Sequence, residues 1–192
     1  MIGSAWRARL GACVAAVASA IAIALFARER WPWAGLCWIA LVPWLATLDR
    51  TTSWKSALAA GIVMSEAFTL IVFAWFPSAV QNYTAIPWPF ALLLVAVVAP
   101  LLEPQFVTFA VARWFARRRG VGWSVAALVA ASVYVGSEWA LPKLFADTLG
   151  QGLYASVWMR QAADVAGAHG LTFVLIIASE CALAALRGSI AV

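Results

Sequence analysis

Long apolar runs alternate with short polar connections along almost the whole chain. Leu10–Phe26 carries no charge and follows Arg7 and Arg9. Arg28-Glu29-Arg30 separates it from Trp31–Leu48, which opens with Trp31-Pro32-Trp33; proline suits a first helical turn, where the N–H groups are unpaired anyway. Asp49 to Lys55 is polar. A third run goes from Ala57 to the neighbourhood of Val80, and Ser78 to Ile86 forms a short uncharged loop. Pro87 and Pro89 open a fourth run that reaches Trp114, with Pro100 and Pro104 inside it, which predicts a kink. Val121–Leu141 and Gly170–Leu186 are the fifth and sixth. Each has roughly the 17 to 25 residues that a helix needs to cross a bilayer. The two-residue alternation of a membrane strand is absent, and lipid offers the backbone no hydrogen-bond partners, so these runs are expected to be helices. The predicted fold class is all-α: one transmembrane domain of six helices, with no soluble domain.

Composition agrees. The chain is 65% hydrophobic and 11% charged, where soluble domains lie near about half and about a quarter. Its twelve Trp residues fit a protein with many water–lipid boundaries. The net charge of +5 is not a nucleic-acid signal, because the basic residues lie in the connections between runs. With six spans, Arg7, Arg9, Arg50, Lys55, Arg113, Arg117, Arg118, Arg119 and Arg187 share one side, nine in all. Arg28, Arg30, Lys143 and Arg160, four in all, share the other. The excess predicts cytoplasmic N- and C-termini. The first run also fits a cleavable signal peptide ending at Ala18-Ser19-Ala20, but the immediate succession of further spans favours a membrane helix. Ala12, Ala16, Ala20 and Ala24 fall four apart, a spacing that lets helices approach closely in lipid and that also arises by chance in an alanine-rich run.

Pro142–His169 is the longest stretch outside the apolar runs, and the topology places it on the outer surface between helices five and six. Leu153, Val157, Ala162 and Val165 give a partial apolar stripe, with Trp158 beside it and Arg160, Gln161 and Asp164 more polar. A short helix on the membrane surface and an irregular loop over the helix ends both fit. Glu138 tops the fifth span and is expected to accept hydrogen bonds from backbone N–H groups of this segment. Glu66, Glu103 and Glu180 lie in spans three, four and six, with no Lys or Arg deep in any span; they should be protonated or hydrogen-bonded. Glu103 and Glu180 are expected near the cytoplasmic ends, bonding between helices, whereas Glu66 fits such a bond and a polar cavity or proton path equally. Asp164 and His169 are not accompanied by a nucleophile, so a packed imidazole is favoured over catalysis. Cys13, Cys37 and Cys181 lack metal or disulfide spacing. No metal and no cofactor is expected.

Several short motifs carry a resemblance. Trp31-Pro32, Ala40-Leu41-Val42-Pro43, Gly61 with Trp75, Glu138-Trp139, Leu149-Gly150, Tyr154, Gln161-Ala162-Ala163-Asp164, Gly167 and Gly170-Leu171-Thr172-Phe173 occur in order along the chain. Together they resemble the membrane part of bacterial apolipoprotein N-acyltransferase. The resemblance implies an inner-membrane helical domain that presents phospholipid to a periplasmic nitrilase-like domain. There a Cys, aided by Glu and Lys, takes an acyl chain and passes it to the N-terminus of a lipoprotein. None of the three cysteines here stands in for that nucleophile. The expectation is a truncated product, one part of a split enzyme, or a diverged relative, inactive alone. Its expected partners are the phospholipid membrane and a separately encoded nitrilase-like domain or a lipoprotein substrate. The expected lipid-facing or docking residues are Glu138, Trp139, Gly150, Tyr154, Trp158, Gln161 and Asp164. The sequence departs from the family at Leu141, where an Arg is usual, and at Leu144-Phe145-Ala146, where Phe-Pro-Trp is usual. Two other readings stay open: a substrate-binding subunit of an energy-coupling-factor importer, docking a partner through Ala12 to Ala24, and a structural membrane subunit.

Overall fold

The computed structural model describes residues 2–30 and 32–188, and all regular structure among them is helical. In chain order the helices are α1 Ile2–Phe26, α2 Val42–Leu48, α3 Trp54–Val72, α4 Phe76–Thr84, α5 Trp88–Leu102, α6 Pro104–Arg118, α7 Trp123–Ala140 and α8 Val157–Leu186. Two 3₁₀ turns, Trp33–Trp38 and Leu149–Leu153, interrupt the connections.

The core forms around Trp44. Its backbone N–H donates to Ser19 Oγ at 3.1 Å, and its indole N–H donates to the Ala60 carbonyl at 3.0 Å, so one residue ties α1, α2 and α3 together. Its ring packs on Phe106 and Phe109 of α6, which in turn meet Tyr134 of α7. Such aromatic pairs each contribute about 0.5–1.5 kcal/mol beyond the area they bury. At Gly61 a Cβ would stand 2.7 Å from Val107 Cα, so the backbones of α3 and α6 touch there. Close approach of this kind replaces the hydrophobic effect as the glue between helices in lipid. Ala16 and Ala20 are fully buried, and α1 packs on α2 and α3. Two of the four alanines on that face are thus packed within the chain, while Ala12 and Ala24 are half-buried.

Outward-facing positions are apolar. Leu93, Leu94, Val97 and Leu101 of α5, and Val125, Val129 and Val133 of α7, are exposed. A continuous apolar surface like this is untenable in water and normal in lipid. Three helices are long and apolar enough to cross a membrane unaided: Arg9–Phe26 of α1, α3 and α8. Helices α5 and α6, bent by 50°, together make a fourth. The bend falls at Glu103, between Pro100 and Pro104, as the proline spacing predicts.

Three expectations of helix extent do not match. Trp31–Leu48 is not one helix. The described part is a 3₁₀ turn, a break at Ile39–Leu41 and the short α2, which begins where Pro43 can sit at a first turn. Trp31 itself lies outside the described residues. The third run ends at Val72 and not near Val80. The uncharged stretch after it is no loop but α4, which starts at Phe76 with Pro77 in its first turn and closes at left-handed Ala85 (φ 57°). Helix α7 has 18 residues and carries Ser124, Ser132, Gly136, Ser137 and Glu138; it is not among the helices long and apolar enough to cross unaided.

Candidate functional site

Helix α7 stops at Ala140 because Pro142 cannot continue it, and Leu141 before the proline is extended (φ −102°, ψ 141°). The chain then turns back over the end of the bundle. Lys143 points down into it, with 8% of its side chain exposed. Its ammonium donates to the Asp147 carbonyl at 2.7 Å. It also lies 3.2 Å from Asp147 Oδ1, 3.5 Å from Glu103 Oε2 and 4.0 Å from Glu138 Oε1. One cation therefore faces three carboxyl groups brought from the α5–α6 break, the end of α7 and the outer segment. Gln105 Nε2 donates to Glu103 Oε2 at 2.5 Å, and Ser65 Oγ donates to the Glu103 carbonyl at 2.7 Å, which the break in the helix has freed. His169 Nε2 stands 3.8 Å from Glu138 Oε2, and its ring lies 5.5 Å from that of Trp139. Glu103 Oε1, Gln105 Oε1 and both Glu138 oxygens are buried and accept no hydrogen bond.

Beyond Lys143 the outer segment is tied down step by step. Phe145 packs against Phe73, Trp75 and Phe76, with centroids 4.8, 5.8 and 5.1 Å away. Gln151 caps the second 3₁₀ turn, accepting from the Thr148 N–H at 3.2 Å and donating to the Ala146 carbonyl at 2.9 Å. Gly150 N–H donates to Thr172 Oγ1 at 2.9 Å, and that hydroxyl donates to the Ala168 carbonyl at 3.1 Å. A Cβ at position 150 would fall 2.1 Å from the Ala168 carbonyl oxygen, so only glycine fits. Ser156 then caps α8 by accepting from Met159 N–H. Ala166 and Gly167 (φ 66°) are not helical, so α8 consists of a surface arm, 157–165, and a long apolar part, 168–186. Of the two forms that fitted the outer segment, this part of it is the short helix.

The residues expected to face lipid or a partner divide into two groups. Trp139 (76% exposed), Trp158 (78%), Tyr154, Gln161 and Asp164 are exposed. The Arg160 guanidinium lies 5.1 Å over the Tyr154 ring, a cation–π contact. Gly150 and Glu138 are buried and hold the segment from beneath. The expected role of Glu138 changes: no backbone N–H reaches it, and its neighbours are Lys143 and His169. Asp164 is exposed on the arm, and the His169 ring lies against Trp139. Glu66 is half-buried on α3 and belongs to neither cluster.

One further expectation is corrected: Glu103 and Glu180 do not share an end of the bundle, since Glu103 lies under the outer segment beside Lys143 while Glu180 meets Arg113 near the other end of α6. Arg113, which closes the fourth run, is buried, 2% exposed. Its Nε and Nη2 donate to both Glu180 oxygens at 2.5 and 2.9 Å, and its Nη1 donates to Asp49 at 2.6 Å. Glu180 is therefore held in an ion pair with Arg113.

Lys143, Asp147 and Arg113 were the functional-looking residues that sequence reasoning passed over. Lys143 is one of only two lysines, and it directly follows the proline that ends α7; that was the available signal. Chemically, the cluster is rich in acceptors and holds one cation. Cys13 and Cys181 are exposed and Cys37 is buried in the first 3₁₀ turn, and none makes a side-chain hydrogen bond among the described residues. The geometry suits holding the outer segment against the bundle.

The family model of the apolipoprotein N-acyltransferase N-terminal domain matches residues 9–181. The chain belongs to that family. No curated protein and no solved structure matches it.

Proposed function

We propose that this member of the apolipoprotein N-acyltransferase N-terminal-domain family presents membrane phospholipid at its outer surface, for acyl transfer by a separately folded nitrilase-like domain. The observation that carries this reading is the clamped outer segment. It rests on a buried charge cluster and turns Trp139, Tyr154 and Trp158 outward. Exposed Trp and Tyr at headgroup level combine an apolar body with a polar edge.

The proposed topology is six crossings in the inner membrane with both termini cytoplasmic. Residues 33–48 supply the second crossing despite their break, because 3₁₀ rise is longer than α-helical rise; with α2 the stretch spans roughly 25–30 Å. Helix α7 supplies the fifth. Helix α3 starts at exposed Trp54, ends just before exposed Trp75 and is roughly 28 Å long, close to the thickness of the hydrocarbon core. These residues alone are inactive in acyl transfer, since no cysteine is placed with Lys143 and Glu138.

A phospholipid carrying a photoreactive acyl chain tests the reading. In nanodiscs it should label peptides from 139–165, and Trp139→Ala/Trp158→Ala should lose most of that labelling. Labelling spread evenly around the bundle, or unchanged in the double variant, overturns lipid presentation. Purified protein given phospholipid and a diacylated lipopeptide should yield no triacylated product. Product that survives replacement of all three cysteines would show chemistry of a different kind. Arg119→Cys and Gln151→Cys should react with impermeant reagents from opposite sides; reaction from one side removes the topology.

A further inference from the structure

At the end of the bundle away from the outer segment lies a hollow of about 310 Å³. Its polar wall is Asp49, Thr51, Thr52, Arg113, Arg117 and Arg118. Asp49 closes α2 and is approached by three guanidinium groups: Arg113, Arg117 and Arg187. Glu180 is fully used by Arg113. Four arginines thus face two carboxylates, a surplus of two positive charges. Arg118 has no ion-pair partner among the described residues, and Arg117 is partly exposed beside the hollow. Thr52 makes no side-chain hydrogen bond among the described residues, and Thr51 donates to Leu48 with its lone pairs free.

The wall is therefore the reverse of the cluster under the outer segment: donors in excess, positive charge in excess. Guanidinium forks match phosphate oxygens in pairs, and phosphate offers acceptors only. The surroundings specify the kind of phosphate. Trp114 and Leu48 line the hollow, and Trp54 and Phe115 are half-exposed at the same end of the bundle. That is an aromatic belt at headgroup depth, beside a lipid-facing surface. We propose that this hollow binds the phosphate of an anionic membrane phospholipid, with Arg117 and Arg118 as its principal contacts and Thr52 as a neutral donor. Basic pockets between helices at this depth are suited to such headgroups.

The test uses the full chain purified in nonionic detergent. Native mass spectrometry counts bound lipid, and thermal unfolding is followed while phosphatidylglycerol, phosphatidylcholine or inorganic phosphate is added. Phosphatidylglycerol should bind one per chain and raise Tm; the other two should not. Arg117→Gln/Arg118→Gln should weaken phosphatidylglycerol binding by about fivefold for each charge removed. Arg118→Gln alone breaks no ion pair, so it should fold normally and show a single such step. Arg28→Gln/Arg30→Gln, which removes equal charge from the opposite end, should bind like the wild type. Stabilisation by inorganic phosphate alone would make this a soluble-anion site and overturn the lipid assignment. Unchanged phosphatidylglycerol binding in the Arg117/Arg118 variant, or an equal loss in the Arg28/Arg30 variant, would overturn the site itself.

Discussion

The backbone N–H of Gly150 donates to the hydroxyl of Thr172, 22 residues further along the chain and 2.9 Å away. This bond joins two stretches that the sequence marks separately, Leu149-Gly150 and Gly170-Leu171-Thr172-Phe173. Thr172→Val keeps the shape and removes the acceptor, leaving a buried N–H unpaired. It should destabilise the protein by about 1–3 kcal/mol, and Thr172→Ser should restore most of that. Thermal unfolding measures the loss, and hydrogen exchange at 149–153 should rise in the valine variant only.

Lys143 is the cation for Glu103, Glu138 and Asp147. Lys143→Met should leave buried carboxylates uncompensated, a defect of about 3–5 kcal/mol. Limited proteolysis should then cut within 142–156, where the wild type resists. Glu138→Leu should loosen the same segment less, because Asp147 and Glu103 still hold Lys143. Equal exchange of 145–165 in wild type and Glu138→Leu would show that Glu138 contributes nothing to the clamp.

Arg113 and Glu180 act as a unit at the far end of the bundle. Glu180→Leu leaves the buried Arg113 guanidinium with Asp49 as its one remaining partner and should lower stability by at most about 3–5 kcal/mol. Arg113→Met/Glu180→Leu should recover much of that, giving a clear coupling energy in a double-mutant cycle. Exchange of the outer segment should stay at the wild-type level in Glu180→Leu, which separates the two clusters.

Gly61 sits where α3 meets α6, with Val107 Cα 2.7 Å from where a Cβ would be. Gly61→Ala should force the helices apart and destabilise by about 1–3 kcal/mol, whereas Gly136→Ala, in open space, should be neutral or better. Melting temperatures of the two variants decide between them.

The all-helical fold, the kink at Pro100 and Pro104 and the extent of α7 were legible because each depends on local chemistry: apolar length, proline and flanking charge. The internal break in 33–48 was not, since Trp, Leu and Cys fit a 3₁₀ turn and an α-helix alike, and burial against α1 and α8 decides which forms. The burial of Arg113 was hidden for another reason. Its partners Asp49 and Glu180 are 64 and 67 residues away, so only the fold reveals that the charge is compensated. Lys143 read as a loop residue because nothing local says that a lysine after Pro142 turns inward. Among the expected surface residues, the aromatic Trp139, Tyr154 and Trp158 and the polar Gln161 and Asp164 are exposed, while Gly150 and the Glu138 side chain face the interior.

The interruption at Ala166 and Gly167 also limits how changes travel along α8. In a continuous helix each inserted residue turns everything beyond it by about 100°. Here angular phase is not transmitted through the two non-helical residues. An insertion or deletion within 157–165 would re-aim Trp158 and Tyr154's neighbour Arg160 while leaving Leu171, Leu175, Ile176 and Ser179 facing the bundle. The arm can therefore diversify in length and in what it displays without re-registering the helix that carries it.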